Sequence, residues 1–134
     1  MTVDVITAGE ALPELRVPIT ASAIVAGAIA TNDFENVHHD KAAAQETGVP
    51  DIFMNILTTN GFVQRYVNDW CGASARIAAV EIKLGAPNFV GDTMLLTGRV
   101  ARVEDGRAEV AVSGRNSIGE HVTATVVLDL EGGR

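Results

Sequence analysis

The second half of the sequence alternates apolar and polar residues, a pattern that predicts four β-strands. The alternation covers 80–84, 94–101, 108–113 and 122–130. Asp105-Gly106 favours a two-residue hairpin turn, and a second turn is expected at 116–119, which reads Asn-Ser-Ile-Gly. We therefore expect the last three strands to form an antiparallel meander.

One long helix is predicted before these strands, with Asp51 as its N-cap. Its core side chains recur at three- and four-residue spacing: Phe53, Ile56, Leu57, Asn60, Val63, Val67 and Trp70. Gly61 in the middle of the helix indicates a place where another backbone approaches closely. A helix this apolar buries itself by lying across a sheet. We predict an α+β chain with a single hot-dog fold over 1–134, in which a curved antiparallel sheet wraps the long central helix.

The first fifty residues predict shorter elements. Alternation at 14–19 suggests an edge strand, because Pro18 limits its pairing to one side. Thr20 is a suitable N-cap for a short helix over 21–30, although a strand is a competing interpretation. Asp40 is expected to cap a brief helix over 41–46 that Gly48 ends.

Composition excludes several classes of protein. The chain has 134 residues and a net charge of -7, and its arginines and lysines are scattered, which argues against a nucleic-acid partner. The longest apolar stretch, 21–30, is too short to cross a membrane and has no basic region before it. We therefore expect a cytoplasmic protein. Cys71, the single cysteine, is expected to be a small apolar core residue.

Residues with useful chemistry cluster in the loop at 31–40. Asp33 and His38 are five positions apart, and such a pair can hold a water molecule and move its protons, with Phe34 and Val37 anchoring the loop in the core. The alternative is a structural bond between a loop histidine and a nearby carboxylate. His39 is expected to point elsewhere in an extended loop, so we expect no metal site.

The start of the long helix is a second candidate site. Main-chain amides around Phe53, Met54 and Asn55 are expected to form a positive helix end that binds a developing oxyanion, and the Asn55 side chain is a further donor. The alternative is that Phe53 and Met54 are ordinary core residues and that Asn55 only caps the helix.

These segments resemble the MaoC-like, R-specific enoyl-CoA hydratases, which have a hot-dog fold. The resemblance rests on the runs 33–38 (Asp-Phe-Glu-Asn-Val-His) and 48–55 (Gly-Val-Pro-Asp-Ile-Phe-Met-Asn), and on 87–93 and 116–119. It implies that Asp33 and His38 hold the water that is added to an enoyl-CoA thioester, without a further cofactor. By position, it implies the Met54 amide as the oxyanion donor.

The sequence departs from the family pattern at three places. The family's usual Ser-Gly before the aspartate is Thr31-Asn32 here, its proline is Asn36, and its His-Gly-Met run is 53–55 (Phe-Met-Asn). Asn36 is therefore grouped with Met54 and Asn55 as a residue expected to contribute to oxyanion or substrate binding.

With these departures, the sequence resembles the small catalytic subunit of the actinobacterial steroid side-chain enoyl-CoA hydratases. That resemblance implies a larger MaoC-like partner subunit that lacks the pair, assembly as a heterotetramer, and syn hydration of a steroid enoyl-CoA. Gly27 and Ala30 are hypothesised to leave room for a wide acyl group.

Other functions stay open at this point. The chain could be a non-catalytic acyl-CoA-binding hot-dog subunit, a homodimeric fatty enoyl-CoA hydratase, or a thioesterase. Five arginines are candidates for contact with the CoA phosphates, with solvation at the surface as the alternative role: Arg65, Arg76, Arg99, Arg102 and Arg115.

Overall fold

The computed structural model describes residues 5–130, which form five strands and three α-helices. The strands are β1 (Ala11–Pro18), β2 (Ala75–Leu84), β3 (Thr93–Glu104), β4 (Arg107–Arg115) and β5 (Glu120–Leu130). The helices are α1 (Ala21–Ala30), α2 (Lys41–Glu46) and α3 (Ile56–Cys71), with 3-10 turns at Asn36–His38 and Gly72–Ser74. Within the described part of the chain, no helix has the length and apolar character needed to span a bilayer.

The five strands form one antiparallel sheet in the order β1-β3-β4-β5-β2. The predicted meander of the last three strands is confirmed, and its first turn has left-handed backbone at both Asp105 (φ 52°) and Gly106 (φ 75°). The first strand lies at one edge, as predicted, and begins at Ala11.

Helix α3 packs across the sheet and completes the core. Val63, Val67 and Cys71 on the helix are fully buried, in a hydrophobic cluster that includes Val110 and Val126 of the sheet. This is the hot-dog arrangement that the sequence predicted. Burial also raises the pKa of the Cys71 thiol, as expected of a cysteine that serves as core.

Caps predicted for the two shorter helices are confirmed. The Thr20 hydroxyl accepts a hydrogen bond from the Ala23 amide at 3.0 Å, and the Asp40 carboxylate accepts one from the Ala43 amide at 3.1 Å. The competing strand interpretation of 21–30 is therefore wrong.

The predicted start of the long helix is also wrong. Its N-cap is Asn55, whose side-chain oxygen accepts from the Thr58 amide at 3.0 Å, because Phe53 is held in an extended bridge to Phe89. The buried stripe is rotated from the predicted one: Ile56 and Leu57 are 48% and 51% exposed. The residues that α3 buries are Thr59, Val63, Tyr66, Val67 and Cys71.

Gly61 does not mark a close backbone approach within the described chain. A Cβ built at this position meets no atom within 4 Å, and the residue is exposed in the middle of α3. The helix therefore has the conformational cost of a glycine without a steric reason on this chain.

We expect Gly61→Ala to raise the free energy of unfolding by about 0.5 to 1 kcal/mol, because alanine restricts the unfolded chain more than glycine. The melting temperature should rise by roughly 2 to 6 °C in thermal unfolding followed by circular dichroism. Gly106→Ala is the matched control: its Cβ also meets open space, but its φ of +75° strains alanine, so stability should fall. Equal effects of the two substitutions would contradict this account.

Candidate active site

His38 is fixed by a hydrogen bond to the main chain just before α3. It lies in the 3-10 turn, only 7% exposed, with Nδ1 2.7 Å from the carbonyl oxygen of Phe53. A carbonyl only accepts, so Nδ1 carries a proton, and in the neutral form of the ring Nε2 then keeps a lone pair. The Phe53 ring packs edge-on against the imidazole at a centroid distance of 5.1 Å. The tautomer and orientation of His38 are thus set by the fold.

Asp33 is placed by the end of α1. Asn32 has left-handed backbone (φ 58°), a conformation that commonly ends helices, and the Asp33 amide donates to the Ala28 carbonyl at 2.8 Å. This turn brings Asp33 Oδ2 to 3.4 Å from Nε2 of His38. The structure therefore brings together the two residues that the sequence paired, and both present acceptor atoms to the same point.

Hydrogen bonding favours the ionised form of Asp33. The side-chain amide of Asn55 donates to Asp33 Oδ2 at 3.0 Å and is the main cause that lowers the pKa of this carboxyl. Partial burial opposes it, whereas the Glu35 amide and the His38 ring lower the pKa further. A carboxylate beside a neutral imidazole is a site at which one water molecule can donate to both groups.

Asn55 has no side-chain donor left for a ligand. It is 3% exposed, and its two N–H groups go to Asp33 and, at 2.9 Å, to the Thr31 hydroxyl. Its oxygen accepts from the amide and hydroxyl of Thr58, which also fixes which side-chain atom is nitrogen. The expectation that the Asn55 side chain contributes a free donor does not fit these contacts.

The Met54 amide is likewise engaged, because it donates to the Asn88 carbonyl at 3.1 Å, and the Phe53 amide donates to Val37 at 3.2 Å. Among residues 5–130, the main-chain amides of Asn55, Ile56 and Leu57 have no hydrogen-bond acceptor, as is usual at the start of a helix. Of the three predicted amides, that of Asn55 thus stays open to an oxyanion, and the first-turn amides of Ile56 and Leu57 adjoin it.

Asn36 lies at the start of the 3-10 turn with an exposed side chain. Its carbonyl accepts from the amides of His39 and Asp40 at 3.1 and 2.8 Å. The main-chain carbonyl of Asn36 therefore stabilises the turn that carries His38.

Phe34 was expected to anchor the loop in the core, but it is 65% exposed, and only Val37 packs against the core. Ile29, Ile56 and Leu57 are also 48% to 59% exposed. These four large apolar side chains lie on the segments that carry Asp33 and the start of α3. Exposed apolar side chains beside the site are available for contact with another molecule.

Two buried polar groups escaped the sequence interpretation. Asn88 is fully buried and holds the segment before α3 through its carbonyl, while its side-chain oxygen accepts from Asn116 at 2.8 Å. His121 is 1% exposed, and burial lowers its pKa, so its neutral ring donates to Ala86 and accepts from the Thr59 hydroxyl. Periodicity places both residues in a turn or strand but does not show that tertiary partners surround them.

Two of the five candidate arginines are paired with neighbouring carboxylates. Arg65 Nε lies 3.5 Å from Asp69 Oδ2, and Arg102 forms a 2.6 Å ion pair with Glu109 on the neighbouring strand.

Within residues 5–130, no group of three histidine, cysteine, aspartate or glutamate side chains is placed to share a metal ion.

The hypothesis that Gly27 leaves room for an acyl group is wrong. A Cβ at Gly27 would overlap the Thr58 hydroxyl and come within 2.8 Å of the Thr58 methyl carbon. The space beside Gly27 is thus filled by α3, and the glycine allows the two helices to approach.

The chain is thus a hot-dog protein with an Asp–His pair beside the start of its long helix, and such a pair can carry out acid–base chemistry. The chain belongs to the MaoC like domain family, which matches residues 6–122. It is 49% identical over 122 residues to the 3-oxo-4,17-pregnadiene-20-carboxyl-CoA hydratase beta subunit of Mycobacterium tuberculosis, covering 91% of this chain and 95% of that protein.

Solved structures agree with this assignment. A chain of the ChsH1-ChsH2 complex from Mycobacterium tuberculosis superposes with a TM-score of 0.91 and 48% identity, covering 93% of this chain and 98% of that one. The (R)-hydratase from A. caviae involved in PHA biosynthesis superposes with a TM-score of 0.85 over 96% and 99% of the two chains. Its identity is 20%, so it supports the fold alone.

We expect Gly27→Ala to destabilise the chain by about 1 to 3 kcal/mol, because the new methyl group overlaps Thr58. In a Thr58→Ala background most of this cost should disappear. A double-mutant cycle in urea unfolding measures the coupling. Strictly additive effects would show that the two helices do not meet here.

Proposed function

We propose that this chain is the catalytic subunit of a hydratase that adds water across the α,β double bond of an enoyl-CoA thioester. The observation that carries the proposal is the 3.4 Å approach of Asp33 Oδ2 to His38 Nε2, where each atom keeps a lone pair that can accept from one water. Membership of the MaoC-like family and the relative named as a hydratase subunit support the reaction class.

In the proposed reaction, the water oxygen bonds to the β-carbon while one water proton enters the Asp33–His38 pair. A proton from the pair is delivered to the α-carbon on the same face, so the product is a 3-hydroxyacyl-CoA and the pair ends with its original proton count. Because the two groups are coupled, the roles of acid and base belong to the pair. The addition is not a redox reaction and requires no redox cofactor.

The thioester carbonyl is proposed to accept hydrogen bonds from the first-turn amides of Ile56 and Leu57. Negative charge develops on that oxygen when water attacks the β-carbon, and a helix N-terminus stabilises it. Asn55, immediately before these amides, is bonded to Asp33, so the two halves of the proposed site are adjacent.

For the substrate, we propose a steroid side-chain enoyl-CoA, by analogy with the M. tuberculosis relative named for 3-oxo-4,17-pregnadiene-20-carboxyl-CoA. We also propose assembly with a larger MaoC-like subunit into a heterotetramer. The exposed side chains of Ile29, Phe34, Ile56 and Leu57 favour a site that is completed by another molecule. A net charge of -7 further favours a partner that contributes positive charge toward the CoA phosphates.

We expect Asp33→Asn and His38→Gln each to lower kcat for hydration by at least about 100-fold with little change in stability, since each removes one of the two acceptors for water. Loss of the enoyl thioester absorbance measures the rate. His39→Gln is the matched control, because His39 adjoins the pair but is exposed. Near-normal hydration by either site variant would contradict the mechanism.

One assay separates the competing functions. The chain, alone and co-purified with a larger partner subunit, is mixed with a steroid enoyl-CoA or a short straight-chain enoyl-CoA, and loss of the alkene and release of free CoA are both followed. Hydration supports the proposal, CoA release indicates a thioesterase, and neither reaction indicates a binding subunit. The ratio of the two hydration rates tests the steroid assignment.

A further inference from the structure

We propose that Asn55 is a positioning residue that orients Asp33 for catalysis and ties it to the first turn of α3. This inference rests on the proposed hydratase function, since it concerns the same site. It assigns Asn55 a role through Asp33 and not through contact with the substrate.

The contacts of the Asn55 side chain carry the inference. It is buried, and all four of its hydrogen-bonding positions are occupied by Asp33, Thr31 and the amide and hydroxyl of Thr58. Thr31 in turn donates to the Gly27 carbonyl at 2.8 Å, which fixes the end of α1. A saturated, buried amide has one geometry available, so the Asp33 oxygen that it binds is held in one place.

Electrostatics agree with this geometry. Among residues 5–130, His38 is the ionisable side chain that faces Asp33, and Glu35 contributes only its main-chain amide. The bond from Asn55 lowers the pKa of the Asp33 carboxyl more than either of them. Asn55 therefore favours the ionised form of Asp33, which accepts from water.

Asn55 also caps α3, so the same side chain fixes the amides proposed to bind the oxyanion. A test must remove the contact with Asp33 and keep the cap. Serine and aspartate are both good N-caps, so Asn55→Ser deletes the donor to Asp33, and Asn55→Asp replaces it with a second carboxylate. Asn60→Ser and Asn60→Asp are matched controls on the same helix, where the Asn60 side chain accepts from the Gln64 amide at 2.9 Å.

We expect Asn55→Ser, assayed in complex with its partner, to lower kcat about 10- to 100-fold with KM within about threefold, because Asp33 is displaced while substrate contacts stay. In Asn55→Asp two carboxylates share one site, so the pair titrates at a higher pH than Asp33 does beside asparagine, and activity should be lost, as pH falls, at a higher pH than in the unmodified enzyme. The Asn60 variants should retain the original profile. An unchanged kcat and pH profile in both Asn55 variants would overturn the inference.

A second measurement does not depend on activity. Carbon-13 NMR of aspartate carboxyl groups, with Asp33→Asn identifying the signal, gives the Asp33 titration in each variant. Its midpoint should rise in the order unmodified chain, Asn55→Ser, Asn55→Asp, and three equal midpoints would refute the role of Asn55. Failure of the unmodified complex to hydrate any enoyl-CoA would instead refute the proposed function, while the NMR result still decides what Asn55 does to Asp33.

Discussion

The site depends on one hydrogen bond between the loop after α1 and the segment before α3. His38 Nδ1–H donates to the Phe53 carbonyl, and the Phe53 amide donates to the Val37 carbonyl. The two hydrogen bonds hold the two segments together. The bridge between Phe53 and Phe89 then attaches this pair of segments to the chain that leads into β3. Removing the carbonyl partner would free both the tautomer and the direction of Nε2. The reactive atom of His38 is thus positioned by main-chain structure that a side-chain motif does not reveal.

The elements that follow from local patterns were predictable, and those set by tertiary contacts were not. Alternation located the strands, and the Asp105-Gly106 turn specified the meander, because both signals are contained in a few adjacent residues. Asp51 after Pro50 has the local features of an N-cap, but the bridge at Phe53 keeps the chain extended until Asn55. The proximity of Asp33 to His38 was predicted. The saturation of the Asn55 amide group was not, because its two acceptors, Thr31 and Asp33, lie more than twenty residues away.

Two helical glycines show the same limit in steric terms. The sequence suggested a close approach at Gly61 and open space at Gly27, and the structure has the reverse. Periodicity places a glycine on a helix face but does not identify what lies opposite. At Gly27 the neighbour is Thr58, which the Asn55 side chain holds in place. The exposed side chains of Ile56 and Leu57 illustrate a related ambiguity. The sequence pattern of an apolar residue is the same whether the core of its own chain or another molecule covers it.

The departures from the family pattern have a joint physical explanation. Asn32 occupies a left-handed position where the MaoC-like hydratases usually have glycine, and asparagine is among the few other residues that tolerate this backbone. Thr31 and Asn55 stand in two separate motifs, yet they are hydrogen-bonded to each other. Gly27, Thr58, Asn55 and Asp33 form a continuous series of contacts from one helix to the acid–base pair. The crossing of α1 and α3 therefore determines where Asp33 lies, so the geometry of the acid–base pair depends on how these two helices pack.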